Sequence, residues 1–321
     1  MNQSLKELVA DFLGFEVSVI ELMAQKAPKT YVHYKIPKRR GGGFRTIYHP
    51  SRETKSLQYA LMHLLHVVLE PDPCAMAFKK GFSSPLRRNA EIHAKFPYSI
   101  RVDFKDFFPS LTADDLFAAI QNSANPNRLE LDPDDKTFLT NVFFIRGKDG
   151  RLGLPIGAPS SPLLSNGIMR ELDVSISDYA KLHEFAYTRY ADDLVFSTHK
   201  KGESKPFFEG LRLLIERCQN PKAIINESKT RFMSRNSRRV VTGMIITPNG
   251  SISIGRNNIR TLRKWLHDFR EARLDISKIH SLQGYLAFIL DVEPALFDRL
   301  CLKYGAELLL NALKQRGDRP S

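Results

Sequence analysis

Tyr190-Ala191-Asp192-Asp193 places two adjacent acids between two β-prone, mostly apolar segments, 185–189 and 194–197. This pattern predicts a β-hairpin that carries the acids at its tip. Carboxylates that crowd at a turn repel one another and raise each other's pKa unless a cation neutralises them. Magnesium is the expected cation, because it takes oxygen ligands from one or two carboxylates and from substrate phosphates. A solvated acidic turn is the alternative interpretation of the pair alone.

A third acid follows a second β-prone segment. Ile100-Arg101-Val102-Asp103-Phe104 predicts a short buried strand, and a buried aspartate needs a cationic partner. Polymerase-type phosphoryl transfer uses two metal ions about 3.5–4 Å apart, and a carboxylate from a second strand helps to hold them. Asp103 alone is equally compatible with a helix cap or a salt bridge.

The charge of the chain indicates a polyanionic partner. Its 321 residues carry a formal net charge of +13, and Lys and Arg are distributed along the whole sequence. Such a distribution is typical of a groove for a nucleic-acid backbone and not of a membrane anchor. No 18-residue apolar run is present, the N-terminus lacks a signal-peptide profile, and three scattered cysteines fit reduced thiols, so we expect a cytoplasmic protein without membrane contact.

The pattern of elements predicts three regions. Residues 1–30 are expected to form a helical lead-in, and residues 31–248 a mixture of strands and helices with the acids described above. Residues 249–321 have lost strand character and predict basic amphipathic helices, of which 256–273 is the most basic. A solvated surface helix and a nucleic-acid contact remain open there.

Three blocks resemble motifs A, B and C of reverse transcriptases, in the same order and with similar gaps: 102–110 around Asp103, 154–162 around Gly157, and Tyr190 to Asp193. Residues 226–230 look like motif D. Asn89-Ala90-Glu91-Ile92-His93 and Val241-Thr242-Gly243 resemble two further signatures of bacterial retron reverse transcriptases. The resemblance implies an α+β, right-hand polymerase fold: fingers and palm over 31–248 with an antiparallel ferredoxin-like palm sheet, then a helical, RNA-binding thumb over 249–321.

The resemblance assigns the catalytic roles by position. Asp103, Asp192 and Asp193 would bind two Mg²⁺ ions, and Lys229 would protonate the leaving pyrophosphate. Phe104 and Phe108 would lie at the deoxynucleotide, with Phe108 excluding a ribose 2′-OH as a steric gate. Core packing for Phe108 and an exposed structural role for Lys229 are the alternatives.

Further residues are assigned to the incoming deoxynucleoside triphosphate (dNTP). Gly157 and Ala158 would let the backbone approach it closely, because Gly has no Cβ. Arg39 and Arg45 would grip the triphosphate, since a guanidinium binds phosphate with two parallel hydrogen bonds. The chain departs from the family at Ile156, where glutamine is usual, which puts a side-chain hydrogen bond at this position in question.

Seven residues are assigned to RNA binding by the same resemblance. They are Asn89, His93, Val241, Thr242, Gly243, Arg256 and Arg263. Asn89 and His93 are four residues apart and would share one helical face, where a helix-capping or buried hydrogen-bond role is the alternative. A strand that ends in glycine explains the second group equally well.

The implied function is RNA-templated DNA synthesis. The template would be the enzyme's own structured non-coding RNA (msr-msd), and priming from an RNA 2′-OH would leave a branched RNA–DNA product, msDNA. The other implied partners are a separately encoded effector or toxin in anti-phage defence, and host RNase H for RNA removal, because no segment resembles such a nuclease. The rivals are another bacterial reverse transcriptase, of group II intron or diversity-generating type, and a non-catalytic RNA-binding scaffold on a polymerase fold.

Overall fold

The computed structural model describes residues 3–38, 43–79, 81, 83–123, 129–147 and 150–314. The chain divides into two compact units. The first unit comprises Met1–Phe78, Val102–Leu194 and Lys205–Thr230, and the second comprises Lys79–Arg101, Val195–Ser204 and Arg231–Ser321. The boundaries at 30 and 248 that the sequence suggests stay a prediction.

Some of the helices begin at residues whose side chains cap them. Ser4 and Thr112 each close a capping box at a helix start, and Ser51 caps a third helix with its side chain. The α-helices are α1 (Leu5–Leu13), α2 (Val17–Lys26), α3 (Arg52–Leu65), α4 (Pro85–Ala94), α5 (Phe107–Ser110), α6 (Ala113–Gln121), α7 (Pro133–Phe143), α8 (Ser161–Ile168), α9 (Arg170–Leu182), α10 (Ser204–Arg217), α11 (Arg256–Arg270), α12 (Ile276–Val292), α13 (Pro294–Tyr304) and α14 (Ala306–Lys314). Short 3₁₀ helices occupy Ala27–Lys29 and Glu227–Lys229.

One helix differs from the prediction. The sequence pattern suggests a single helix from Ser161 to about Asp178, whereas the structure has α8 and α9 with Met169 between them. The break follows Gly167, the residue type with the lowest helix propensity after proline. Gly167 packs so closely on Leu69 that a Cβ there would lie 2.6 Å from the leucine side chain.

Eleven strands are present among the described residues. They are β1 (Val32–Pro37), β2 (Phe44–His49), β3 (Tyr98–Asp103), β4 (Ile145–Arg146), β5 (Leu152–Gly153), β6 (Ala186–Tyr190), β7 (Asp193–Thr198), β8 (Arg231–Ser234), β9 (Arg239–Val241), β10 (Met244–Ile246) and β11 (Ile252–Ser253). The main sheet has the order β6-β7-β3-β8. In chain order these strands are separated as β-α-β-β-α-β, which is the ferredoxin-like arrangement that the resemblance implies.

The second unit has a core of its own. Leu262 and Leu266 of α11 are fully buried with Leu282, Leu286 and Ile289 of α12, and further apolar residues of α13 and α14 join them. Ile259, Trp265 and Phe269 pack against this cluster, so the apolar stripe predicted for α11 is confirmed. Within the described part of the chain, no helix is both long and apolar enough to cross a bilayer.

Candidate active site

The two acids lie at the tip of a tight hairpin, as predicted. β6 ends at Tyr190 and β7 begins at Asp193, so Ala191 and Asp192 form the two-residue turn. Ala191 has a φ of 57°, a left-handed backbone conformation that is uncommon for residues other than glycine. Such strain persists only where the surroundings enforce it, and it concentrates at functional sites.

Asp103 and Asp192 are neighbours. Asp103 is the last residue of β3, and the N–H of the next residue, Phe104, donates to the Asp192 carbonyl at 3.0 Å. Burial raises the pKa of Asp192 above its ordinary value, and the negative charge of Asp103 raises it further. Two carboxylates from distant parts of the sequence therefore lie close together in a partly buried environment, where a bound cation would reduce their repulsion.

Lys229 supplies a positive charge at this place. Its Nζ lies 2.7 Å from Oδ1 of Asp103, and the Asn226 N–H donates to the Asp103 carbonyl at 2.7 Å, which fastens the 3₁₀ turn Glu227–Lys229 to the end of β3. The Lys229 side chain is 58% exposed, whereas that of Asp103 is only 10% exposed. Water screens the exposed ammonium, so the pair is weaker than its distance suggests and the lysine can leave it.

The assignment of Asp103, Asp192 and Asp193 as one metal-binding group stays a prediction. No group of three or more His, Cys, Asp or Glu side chains within the described ranges is arranged to hold a metal ion. Asp193 begins β7 and is buried, whereas Asp192 lies in the turn before it. Asp103 and Asp192 nonetheless fit a divalent ion, because Mg²⁺ needs only one or two protein carboxylates when substrate phosphates supply other oxygens.

Arg45 and Gly157, both assigned to the dNTP by the resemblance, lie on and beside β2. Arg45 lies on β2, and its charge lowers the pKa of Asp192, against the larger upward effects of burial and Asp103. The segment of Gly157 and the buried Ala158 contacts the same strand, since the Tyr48 N–H donates to the Ile156 carbonyl at 2.8 Å. That main-chain bond is available to isoleucine and to glutamine alike. Arg39 lies outside the described residues.

The two phenylalanines assigned to the nucleotide differ in their exposure. Phe108 in α5 is half-buried, packs edge-on against Phe107 at 5.2 Å, and keeps part of its ring accessible, which suits a steric gate. Phe104 is only 2% exposed and stacks on Phe107, so its side chain belongs to the core and only its main chain reaches Asp192. Sequence reasoning did not find Phe78, which is exposed at a φ of 62° with its ring 6.4 Å from that of Phe108.

Asn89 and His93 are fully buried in the second unit. The Nδ1 atom of His93 lies 2.9 Å from the Ser197 hydroxyl, which donates to the Ser99 hydroxyl at 2.9 Å. Burial lowers the pKa of His93 to about 3, so the imidazole is neutral at physiological pH. A side chain without exposed atoms offers no contact to RNA, and the RNA-binding role that the resemblance implies for this pair stays a prediction that the burial does not support.

The Val241-Thr242-Gly243 block forms a tight turn in the second unit. Thr242 and Gly243 have φ values of 47° and 83° between β9 and β10, as a type I′ hairpin requires. The Thr242 hydroxyl donates to the Leu86 carbonyl at 3.1 Å and so ties the turn to α4. Val241 is buried, which leaves Gly243 as the exposed member of the block. Its assignment to RNA also stays a prediction.

Arg256 and Arg263 lie on an exposed basic surface. α11 buries one apolar stripe and exposes its cations, namely Arg256, Arg260, Arg263, Lys264 and Arg270. A row of exposed guanidinium and ammonium groups on a rigid helix is suited to a nucleic-acid backbone. These residues therefore remain the best-placed of the predicted RNA contacts.

The ferredoxin-like sheet and the paired carboxylates at its end define the class: a nucleic-acid polymerase that transfers nucleotidyl groups. Residues 36–266 match the family described as reverse transcriptase (RNA-dependent DNA polymerase). The chain belongs to the reverse transcriptase family, and within it to the retron type, and it is an RNA-directed DNA polymerase. Divalent metal dependence is a general property of that family.

Two known retron enzymes are similar in sequence to this chain along most of its length. The Retron Ec83 reverse transcriptase of Escherichia coli is 31% identical over 92% of this chain and 93% of its own length. The Retron Ec73 reverse transcriptase of the same organism is 32% identical over 88% and 90%. A solved telomerase from Candida albicans, in complex with a fragment of telomeric RNA, is 13% identical with a TM-score of 0.49, and the match covers 97% of this chain but 65% of that one.

Proposed function

We propose that the protein copies its own structured non-coding RNA (msr-msd) into msDNA, using two Mg²⁺ ions and a 2′-OH of that RNA as the first primer. The proximity of Asp103 and Asp192 carries the chemical part of the proposal. Similarity to named retron enzymes over about nine-tenths of the chain supports the choice of template and primer.

The roles of the side chains follow from their positions. Asp103 and Asp192, with Asp193 in a supporting position, would hold the Mg²⁺ ions, which lower the pKa of the primer hydroxyl and stabilise charge on the phosphates when bound. Arg45 would grip the triphosphate, and the half-buried ring of Phe108 would exclude a ribose 2′-OH. Gly157 leaves room beside β2, because any Cβ there would meet Ile47.

Lys229 would act as the proton donor to the leaving pyrophosphate. In the structure its Nζ is held by Asp103, so it must leave that carboxylate when a nucleotide is bound. Its exposed position permits this movement, because the ammonium already contacts water. A protonated amine near the leaving oxygen is the chemistry that general acid catalysis requires.

RNA recognition would depend mainly on shape and backbone charge. The exposed cations of α11, among them Arg256 and Arg263, would contact phosphates of an RNA hairpin. Loss of one phosphate contact lowers the salt dependence of binding by about one unit of slope, whatever the sequence of the RNA. The resemblance further supports roles for a separately encoded effector, for host RNase H and for cytoplasmic anti-phage defence.

Analysis of the nucleic acid that co-purifies with the protein tests this proposal. We expect an RNA–DNA molecule in which RNase treatment leaves a short branch and a 2′,5′-debranching enzyme releases linear DNA. Sequencing of the released DNA should give the complement of one non-coding RNA. Linear DNA primed from a 3′-OH, unaffected by debranching, would instead indicate a reverse transcriptase of another bacterial class.

A further inference from the structure

A buried ion pair lies directly behind the catalytic turn. Arg189 of β6 and Asp173 of α9 are both 0% exposed, and the Arg189 Nε donates to both carboxylate oxygens of Asp173 at 2.8 and 3.0 Å. A third bond joins Arg189 Nη2 to Asp173 Oδ2 at 2.5 Å. Because desolvation of both charges offsets most of their attraction, such a pair seldom stabilises a fold more than well-packed apolar residues would. Its presence therefore needs a reason other than stability.

The third nitrogen of the guanidinium contacts the turn that carries Asp192. Arg189 Nη1 donates to the Ala191 carbonyl at 3.2 Å and to Asn166 Oδ1 at 3.1 Å. Ala191 is the residue with the left-handed backbone, and the next residue is Asp192. The planar fork of arginine allows one side chain to bind Asp173 with two nitrogens while a third holds the main chain of the turn.

A second set of bonds extends from the same residues toward Phe108. The Arg189 N–H donates to the Cys74 carbonyl at 2.9 Å, and its carbonyl accepts from the Met76 N–H at 2.7 Å. Asn166 donates to the Ala77 carbonyl at 2.9 Å. The next residue is Phe78, whose ring lies beside that of the predicted steric gate. One buried group thus contacts both the metal-binding turn and the segment next to the gate.

We propose that Arg189 and Asp173 are positioning residues, which hold the strained Ala191 turn and thereby place the Asp192 carboxylate for binding a divalent ion. Asp173 fixes the orientation of the guanidinium, and Arg189 acts on the turn through the Ala191 carbonyl. Partners that orient a metal ligand typically change metal affinity by 10–100-fold when they are removed. This inference depends on the proposed role of Asp192 as a metal ligand.

The test measures binding of Mn²⁺ alone to the full-length protein by electron paramagnetic resonance, without nucleotide or RNA. Arg189→Lys keeps a cation beside Asp173 but lacks the planar fork that also reaches Ala191. We expect this variant to fold, with Mn²⁺ affinity reduced about 10–100-fold. The metal concentration for half-maximal primer extension should rise by the same factor, and RNA affinity should not change.

A second variant separates positioning from folding. Asp173→Leu combined with Arg189→Met removes both buried charges together, which avoids the uncompensated charge that a single truncation leaves. Asp173 also accepts from the Tyr187 hydroxyl at 2.9 Å, so we expect a folded protein of lower thermal stability than the wild type, with the same loss of Mn²⁺ affinity. The control Lys181→Met removes an exposed pair with Asp178, 3.5 Å apart, and should change neither property.

The outcomes distinguish this inference from the proposed function. If Asp192→Asn binds Mn²⁺ as tightly as the wild type, the metal-binding role of Asp192 itself is wrong. If Asp192→Asn loses binding while folded Arg189→Lys keeps wild-type affinity, only the positioning role is overturned. Should Arg189→Lys fail to fold, the folded double variant decides by the same criterion, and a wild-type affinity there overturns the inference.

Discussion

Gly157→Ala places a methyl group where the structure has no room for it. Gly157 has a φ of 109°, which side-chain-bearing residues rarely adopt. An added Cβ would lie 2.6 Å from Ile47 Cγ2 and 3.0 Å from the Tyr48 carbonyl oxygen, both on β2. The adjacent bond from the Tyr48 N–H to the Ile156 carbonyl, 2.8 Å long, prevents the two segments from separating without cost.

The size of the effect follows from these two terms. A backbone held in a sparsely populated region costs about 1–3 kcal/mol, and overpacking of a tight contact costs about 1–3 kcal/mol. Together they predict a loss of about 2–6 kcal/mol, a large part of the roughly 5–15 kcal/mol by which folded domains are stable. Because Arg45 lies on the displaced strand, the KM for dNTP should rise as well.

Urea denaturation and steady-state dNTP kinetics measure both effects. Gly243→Ala is the matched control for backbone strain, since its φ is 83° and a Cβ there would meet nothing within 4 Å. Gly284→Ala in α12 has neither strain nor contact and should be neutral or slightly stabilising. Adding Ile47→Ala to Gly157→Ala should recover part of the loss by removing the clashing methyl. Gly157→Ala with the stability of Gly284→Ala and an unchanged KM would refute the reasoning.

Three further substitutions test other parts of the site. Phe108→Ala should raise ribonucleotide incorporation in competition assays, and unchanged sugar discrimination would remove its role as the gate. Arg45→Gln should raise the KM for dNTP about 10–100-fold, the value of a charge-assisted hydrogen bond, and an unchanged KM would exclude phosphate contact. The pKa of Asp192 is raised in the folded protein, so without metal its ionisation destabilises the fold as pH rises from 3.8 through that raised value. Thermal unfolding of metal-free Asp192→Asn should therefore show a gain in stability that is present at pH 7 and absent at pH 3, whereas a gain that does not vary with pH would contradict this.

The hairpin that carries Asp192 could be predicted because its signal is local. The β-prone, mostly apolar segments on both sides of the acids identify two strands and a turn without knowledge of the rest of the chain. The strand that ends in Asp103 has the same kind of signal. The distance between these two acids has no local signal, and it was suggested only by two-metal chemistry and by the resemblance to a family.

Contacts between residues far apart in sequence were the part that could not be predicted. Lys229 meets Asp103 across 126 positions, and nothing in either segment indicates that they pair. The spacing of Asn89 and His93 correctly places them on one helical face, but periodicity does not tell whether that face is buried. Phe78 could not be identified from the sequence either. Only its contact with Phe108 in the folded chain draws attention to it, and its neighbours in the sequence give no such signal.

Single-turnover extension of a primer on an RNA template, with deoxynucleotides and Mg²⁺, tests the catalytic pairing most directly. The rate should fall about a thousandfold or more in both Asp103→Asn and Asp192→Asn, since several kcal/mol of transition-state stabilisation is lost. The affinity of each variant for RNA, measured in parallel, should equal that of the wild type. Extension by either variant at the wild-type rate would show that these two carboxylates are not the centre of the reaction.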